Sequence, residues 1–392
     1  MQEDFHYYAT YCAAILAGYT HEQSMDICYS AQLVDMCSRT FLIKIKAPLS
    51  AATTQLQLEM MDARTDPVGL QDITRIWVSF HFLPADLNAK VRKGAGRLYK
   101  SKYRLICNTN SELLVNTVTL ANGNGLQAAG IAMHILADTW AHRYFAGTPS
   151  LVINNTNYYF YEQIANENGE YKDIPISFRH STSVPDDLEN HKYTNSLFQS
   201  SESSIMNLGH GRAGHLPDYS FIRYKYLPAW GDYEEIIKDN PSDFYHAFCQ
   251  MIYAMQYLHG DISKFMINTY AWNTAKPYED EIKAIIKKRQ LNAAADWKAF
   301  GERLSGKEIE PFDLSKYESE YIDAEKDNKN ETFLGKFILA AMAQKSMVTN
   351  KIFLSGNLLA GYSIDFNEKG FAGIKDYKML VEYLHQYRTK TT

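Results

Sequence analysis

The segment AMHILADTWAHRYF, residues 132–145, sets His134, Asp138 and His142 four and then four residues apart. An α-helix turns about 100° per residue, so the three side chains fall within about 80° of one another over two turns. Ala132, Ile135, Leu136 and Ala137 around them are apolar, which predicts a buried helix carrying one polar stripe. A buried carboxylate without a partner is costly. Other parts of the chain must therefore return to this stripe with hydrogen-bonding partners, or a metal ion must neutralise it. Two imidazoles and a carboxylate are nitrogen and oxygen ligands that suit zinc.

A second group lies in GHGRAGHLPD, residues 209–218, where glycines allow a tight turn that can aim His210, His215 and Asp218 at one point. Asp35 stands in the helical segment SAQLVDMCS beside Val34 and Ala31, an unusual setting for a carboxylate. His81 lies in the aromatic run IWVSFHFLP, and His6 follows Asp4 near the start. Taken singly, each has an ordinary reading as a helix cap or a satisfied core polar group.

The chain around these residues reads as mainly α. Helical spacing predicts helices over 5–18, ending at Gly18, and over 21–38, 111–120, 126–145, 242–260, 278–305 and 331–350. Ser242 is the expected cap of the helix 242–260 and Gly260 its terminator. The β-branched content of 40–49 permits a short strand. Residues 148–204, rich in Asn, Tyr, Ser and Asp, read as a long irregular excursion, with a hairpin turn at Asn168-Gly169. The expected organisation is a metal-binding helical domain over 1–265 and a C-terminal helical region over 266–392 packed on it.

Composition removes several classes. The net charge is −5, so no duplex nucleic acid is expected as a partner. The five cysteines are odd in number and form no CxxC pair, which argues against a disulfide framework. No run approaches the length of a transmembrane helix, and no amphipathic membrane-binding helix stands out. The start, MQEDFHYYATYCAAILAG, is acidic and lacks the basic and long apolar regions of a secretory signal. A cytoplasmic location is therefore expected, with non-classical export as the alternative. An HD-type phosphohydrolase needs an adjacent His-Asp pair, which the chain lacks. A ferritin-like site needs Glu-x-x-His motifs on two facing helices together with a further Glu from each of two more, and Glu382 with His385 does not by itself supply one.

The order His6, Asp35, Trp77 with His81-Phe82-Leu83-Pro84, His134-xxx-Asp138-xxx-His142, then a later His with a carboxylate, resembles the zinc-dependent phospholipase C and P1-type nuclease family. The chain also resembles an uncharacterised group of bacterial proteins that share a DFHY start, an AQxVD motif and an HxxADTWAH helix. The first resemblance implies a phospholipase C/P1 nuclease-like helical bundle, here with a long loop excursion and a C-terminal helical extension. It also implies two or three zinc ions. One would take Asp35, His81, His134 and Asp138; a second His142 with His210 or His215 and Asp218; a third His6 while sharing Asp138. The family's N-terminal Trp has no counterpart here, and Asp4 is an oxygen ligand that could replace it. The family's gap between the carboxylate and the second His is longer than that between Asp138 and His142. The implied activity is hydrolysis of a phosphate ester, such as a phospholipid headgroup, a small phosphodiester or a nucleotide, by a metal-activated water. Asp35 would orient that water or act as general base, and Arg143 or Arg212 would stabilise the phosphate charge. The alternative from another class is a non-catalytic structural or sensing protein with closed metal coordination.

Overall fold

The computed structural model describes residues 1–179, 184–195 and 207–362. Seven helices carry the main core: α1 (Thr10–Leu16), α2 (His21–Met36), α3 (Pro67–Phe80), α4 (Glu112–Ala121), α5 (Gly125–Ala141), α6 (Asn240–His259) and α7 (Phe333–Leu354). A turn of π-helix, Asp4–Ala9, leads directly into α1. The architecture is mainly helical.

Local chemistry sets the ends of these helices. Thr20 and Gln23 form a reciprocal capping box at the start of α2. The Asp66 carboxylate accepts the Val68 and Gly69 N–H groups ahead of α3, with Pro67 in the first turn where its missing N–H costs nothing. The cap of α6 is Asp239, whose side chain accepts from the Ser242 N–H, so the expected Ser242 is the donor and not the cap. Gly260 ends α6 at φ +101°.

Helix α5 is the axis of the fold. Every residue from Gln127 to Ala141 is buried, and α2, α4, α6 and α7 all pack on it. The α2 contact is close at Gly130. A Cβ there would lie 2.4 Å from the Ile27 carbonyl oxygen and 2.9 Å from the Ala31 nitrogen. Only glycine admits this approach of two backbones, and it brings the C-terminal turn of α2, with Asp35, alongside His134.

Against the helices lies an antiparallel sheet in the order β2-β1-β5-β6, from β1 (Thr156–Ala165), β2 (Tyr171–Pro175), β5 (Arg223–Pro228) and β6 (Ile236–Asp239). Strands β3 (Ser177–Arg179) and β4 (Lys192–Thr194) pair in parallel nearby. The excursion 148–204 is thus not irregular throughout. Its first part is a hairpin in register from Tyr161 opposite Pro175 to Ala165 opposite Tyr171, with Gly169 at φ +79° in the turn. Residues 180–183 and 196–204 of that excursion lie outside the described residues, as do 205–206 and, in the C-terminal region, 363–392, with Glu382 and His385. Residues 39–44, where a strand was permitted, form a helix capped by Ser38. The expected helix 278–305 is two, Glu279–Lys287 and Ala294–Ser305.

Two apolar clusters result. The large one runs from Met1 to Ala360 and includes Trp297, Ile338 and Val348, so the described part of 266–392 shares the core of the preceding region. The smaller one, with Phe82, Phe145, Phe160, Tyr224 and Tyr226, underlies the sheet. His81 and His142 each end a helix at the seam between them.

Candidate metal centre

His134 and Asp138 project from the last turns of α5, and His142 is the residue that ends it. His81 ends α3 in the same way. The His142 Nδ1–H donates to the His81 carbonyl at 2.8 Å, so one helix end is tied to the other. Phe82 stacks on the His142 ring at 4.7 Å. Behind the site, His6 stacks on His134 with centroids 3.7 Å apart.

Four of the imidazoles are clamped from behind. The remote nitrogen of His134 meets the Ala31 carbonyl at 2.9 Å, that of His81 the Thr53 carbonyl at 3.0 Å, and that of His210 the Gly214 carbonyl at 2.7 Å. With His142 on the His81 carbonyl, this makes four rings in one arrangement. A carbonyl oxygen only accepts, so each clamped nitrogen carries the proton and the inward nitrogen of the neutral ring is a bare lone pair. This is how proteins hold metal-binding histidines in one tautomer.

The inward atoms then converge. His134 Nε2 and His81 Nδ1 lie 3.3 Å apart. Asp138 Oδ2 is 3.2 Å from the first and 3.3 Å from the second. Asp35 Oδ1 is 3.9 Å and 3.8 Å from the same two nitrogens. The other oxygen of Asp138 faces elsewhere: Oδ1 is 3.1 Å from His6 Nε2 and 2.6 Å from the Met1 amine. On the far side, His142 Nε2 lies 3.1 Å from Asp218 Oδ1, and His210 Nε2 lies 3.7 Å from Asp218 Oδ2. Among the described residues, three sets of side chains could therefore each hold a metal ion: His6, His134 and Asp138; Asp35, His81 and His134; and His142, His210 and Asp218. His134 belongs to two sets but has one free nitrogen, so it can serve only one ion. Asp138, with one oxygen toward each, can bridge them.

Electrostatics favours ionised carboxylates at Asp138 and Asp218 and neutral rings at His6 and His210. Burial alone would raise the Asp138 pKa, yet His142, the Met1 ammonium, His134 and His6 hold it well below the ordinary carboxylate value. Asp218 is depressed likewise, with His210 and the Met1 ammonium outweighing its burial. Burial and the neighbouring imidazole lower His6 to about 4, and burial lowers His210 to about 4. Both rings are neutral, and able to act as ligands, at physiological pH.

The expected residues fall as follows. His6, Asp35, His81, His134, Asp138, His142, His210 and Asp218 are all in the three sets. His215 is outside them; its ring is largely exposed and contacts Asp218 at 3.3 Å. Asp4, considered as an oxygen ligand, instead accepts the Ala293 N–H at 2.9 Å and faces away. Arg143 is paired with Asp243 at 3.0 Å, and Arg212 donates to Asn207. The aromatic segment 157–161 alternates along β1, with Phe160 in the core and Tyr158 outward. The reading of side chains missed the Met1 amine, which sits 2.6 Å from Asp138 and 3.3 Å from Asp218. A main-chain group leaves no signature in residue type.

A family profile described as a family of unknown function (DUF6765) matches residues 1–352. The chain belongs to DUF6765. The match takes in every residue of the three candidate sets. Neither the curated proteins nor the solved structures returned a match.

Proposed function

We propose that this chain is a metal-dependent phosphoesterase, with zinc as the metal and a fold akin to the zinc-dependent phospholipase C and P1-type nuclease family it resembles. One observation carries the reading. With each ring in the tautomer set by its carbonyl clamp, an inward nitrogen of His134 and one of His81 stand 3.3 Å apart beside two carboxylates, a convergent nitrogen and oxygen donor set that suits a cation. Zinc ions bound there would supply Lewis acidity and an acidified water. The chain's own residues do the rest. Asp138 bridges two positions with its two oxygens, and the carbonyl clamps on His81, His134, His142 and His210 keep each ring in the liganding tautomer. Asp35 is the ligand-set residue suited to the reacting water, because its side chain is 29% exposed whereas those of His134 and Asp138 are sealed at 0% and 1%. An open edge on a metal set is what a catalytic site needs and a structural one lacks.

The burial of His6, His134 and Asp138 favours a purely structural role for that one set. Elemental analysis of the purified, unchelated protein separates the readings when paired with turnover of bis-p-nitrophenyl phosphate and of phosphatidylcholine. Two or three zinc per chain with ester hydrolysis is the expected result. Asp138→Asn should lower the metal content by at least one equivalent and abolish hydrolysis, because one carboxylate serves two positions. Bound metal with no hydrolysis of any phosphoester would leave the structural reading standing. Full metal content in Asp138→Asn would overturn the shared-ligand assignment.

A further inference from the structure

Residues 87–111 hold seven Lys and Arg and no Asp or Glu, in a chain whose net charge is −5. The segment contains a short helix, Arg97–Tyr103, none of whose residues is buried. Lys90, Lys93, Arg97 and Lys100 are exposed, and among the described residues none of the four pairs with a carboxylate. The helix packs beside Leu151–Asn154 and is held from behind. Tyr99 donates its hydroxyl to the Trp230 carbonyl at 3.3 Å, and Asn357 donates to the Ser101 carbonyl at 2.8 Å.

Aliphatic side chains stand among these cations. Leu98 is 61% exposed, Leu151 47% and Val152 50%. Free cations and bare aliphatics on adjoining short helices have no use in water. They match a surface that is anionic at the top and apolar just beneath. The aromatics of the patch, by contrast, are already engaged. The Arg92 guanidinium covers the Tyr99 ring at 5.4 Å, and Tyr99 stacks with Tyr103 at 6.1 Å. Base stacking on single-stranded nucleic acid needs open aromatic faces, so the patch is poorly made for that ligand.

We propose that the segment 90–104, together with Leu151 and Val152, docks this protein on an anionic lipid bilayer. The cations meet the headgroups while Leu98, Leu151 and Val152 enter the boundary beneath them. The proposal is independent of the metal reading, since no residue in it belongs to a metal set.

The test is co-sedimentation of the full chain with vesicles of pure phosphatidylcholine, or with about one third phosphatidylserine, at about 0.1 M salt, where exposed charges still act over about 10 Å. Binding to the anionic vesicles alone, weakened by added salt, is expected. The double variant Lys93→Gln and Lys100→Gln should weaken it roughly tenfold or more. Leu98→Ser should weaken it while leaving the salt dependence unchanged. All three substitutions are at exposed positions, and unchanged metal content and melting temperature would establish that the fold is intact. No binding to the anionic vesicles overturns the proposal, and so does binding indifferent to the variants. Tighter binding to a single-stranded oligonucleotide than to the vesicles would replace it with a nucleic-acid surface.

Discussion

At the scale of single residues, the four imidazoles show how two contacts could make a ligand. The inward nitrogen is useful only because a backbone carbonyl has taken the proton on the other side. The same rings set a pH dependence in the metal-free protein. His6 and His210 titrate near 6.5 when unfolded and at about 4 when folded. The unfolded chain therefore binds more protons between these values, and stability is lost as pH falls from 6.5 through 4. Asp138 and Asp218, held well below the usual carboxylate range, extend the loss to lower pH. Thermal melts of the chelated protein should thus show a midpoint that falls as the pH drops from 6.5 to 4; a flat profile from pH 7 to 4 would contradict the burial assigned to these rings. The site residues were legible unequally in the sequence. The period of four in His134, Asp138 and His142 is a direct consequence of helical geometry. His6, Asp35 and His81 stood out only through their order, since each alone has an ordinary structural explanation. Ala31, Thr53 and Gly214 could not be found, because their contribution is a carbonyl that every residue owns.

At the scale of elements, the site depends on how closely α2 approaches α5. Asp35 comes from the first helix and His134 from the second, and Gly130 is a point of close contact. Gly130→Ala places a methyl group against the backbone of Ile27 and Ala31, which cannot yield as a side chain would. A destabilisation of about 1–3 kcal/mol is expected, read as a lowered denaturation midpoint. The set Asp35, His81 and His134 should lose metal more readily than His142, His210 and Asp218, to which α2 contributes no residue. Equal loss from both sets would mean that the crossing does not position Asp35. The helices of this crossing were visible in the sequence because each is long and apolar at helical steps. The sheet was less so. The hairpin at Asn168-Gly169 carried a turn signal, but β5 did not, although Arg223-Tyr224-Lys225-Tyr226 alternates with both tyrosines inward. The short helix Arg97–Tyr103 was also passed over, for seven residues are too few to show an amphipathic period.

At the scale of the whole molecule, the metal sets lie on a seam. One apolar cluster, built by helices from both ends of the described chain, lies on one side, and the sheet cluster lies on the other. The imidazoles and carboxylates there are the polar bonds between two bodies of apolar packing. Among the described residues no helix is long and apolar enough to cross a membrane. The five cysteines, Cys12, Cys28, Cys37, Cys107 and Cys249, are all buried and unpaired. Burial pushes the thiols of Cys37 and Cys249 up to about 12, so the native protein should be nearly silent to thiol reagents. Each modification would instead record an opening event, and the five positions sample different parts of the fold. Cys107 bridges to Phe145 and Tyr144, just beyond His142, whereas Cys249 lies in α6. Stripping the metal should make Cys107 label faster relative to Cys249, and restoring it should reverse the order. A ratio indifferent to metal would place the bound ion away from His142. The unpaired thiols thus make the molecule its own stopwatch, timing from inside how firmly the seam is closed.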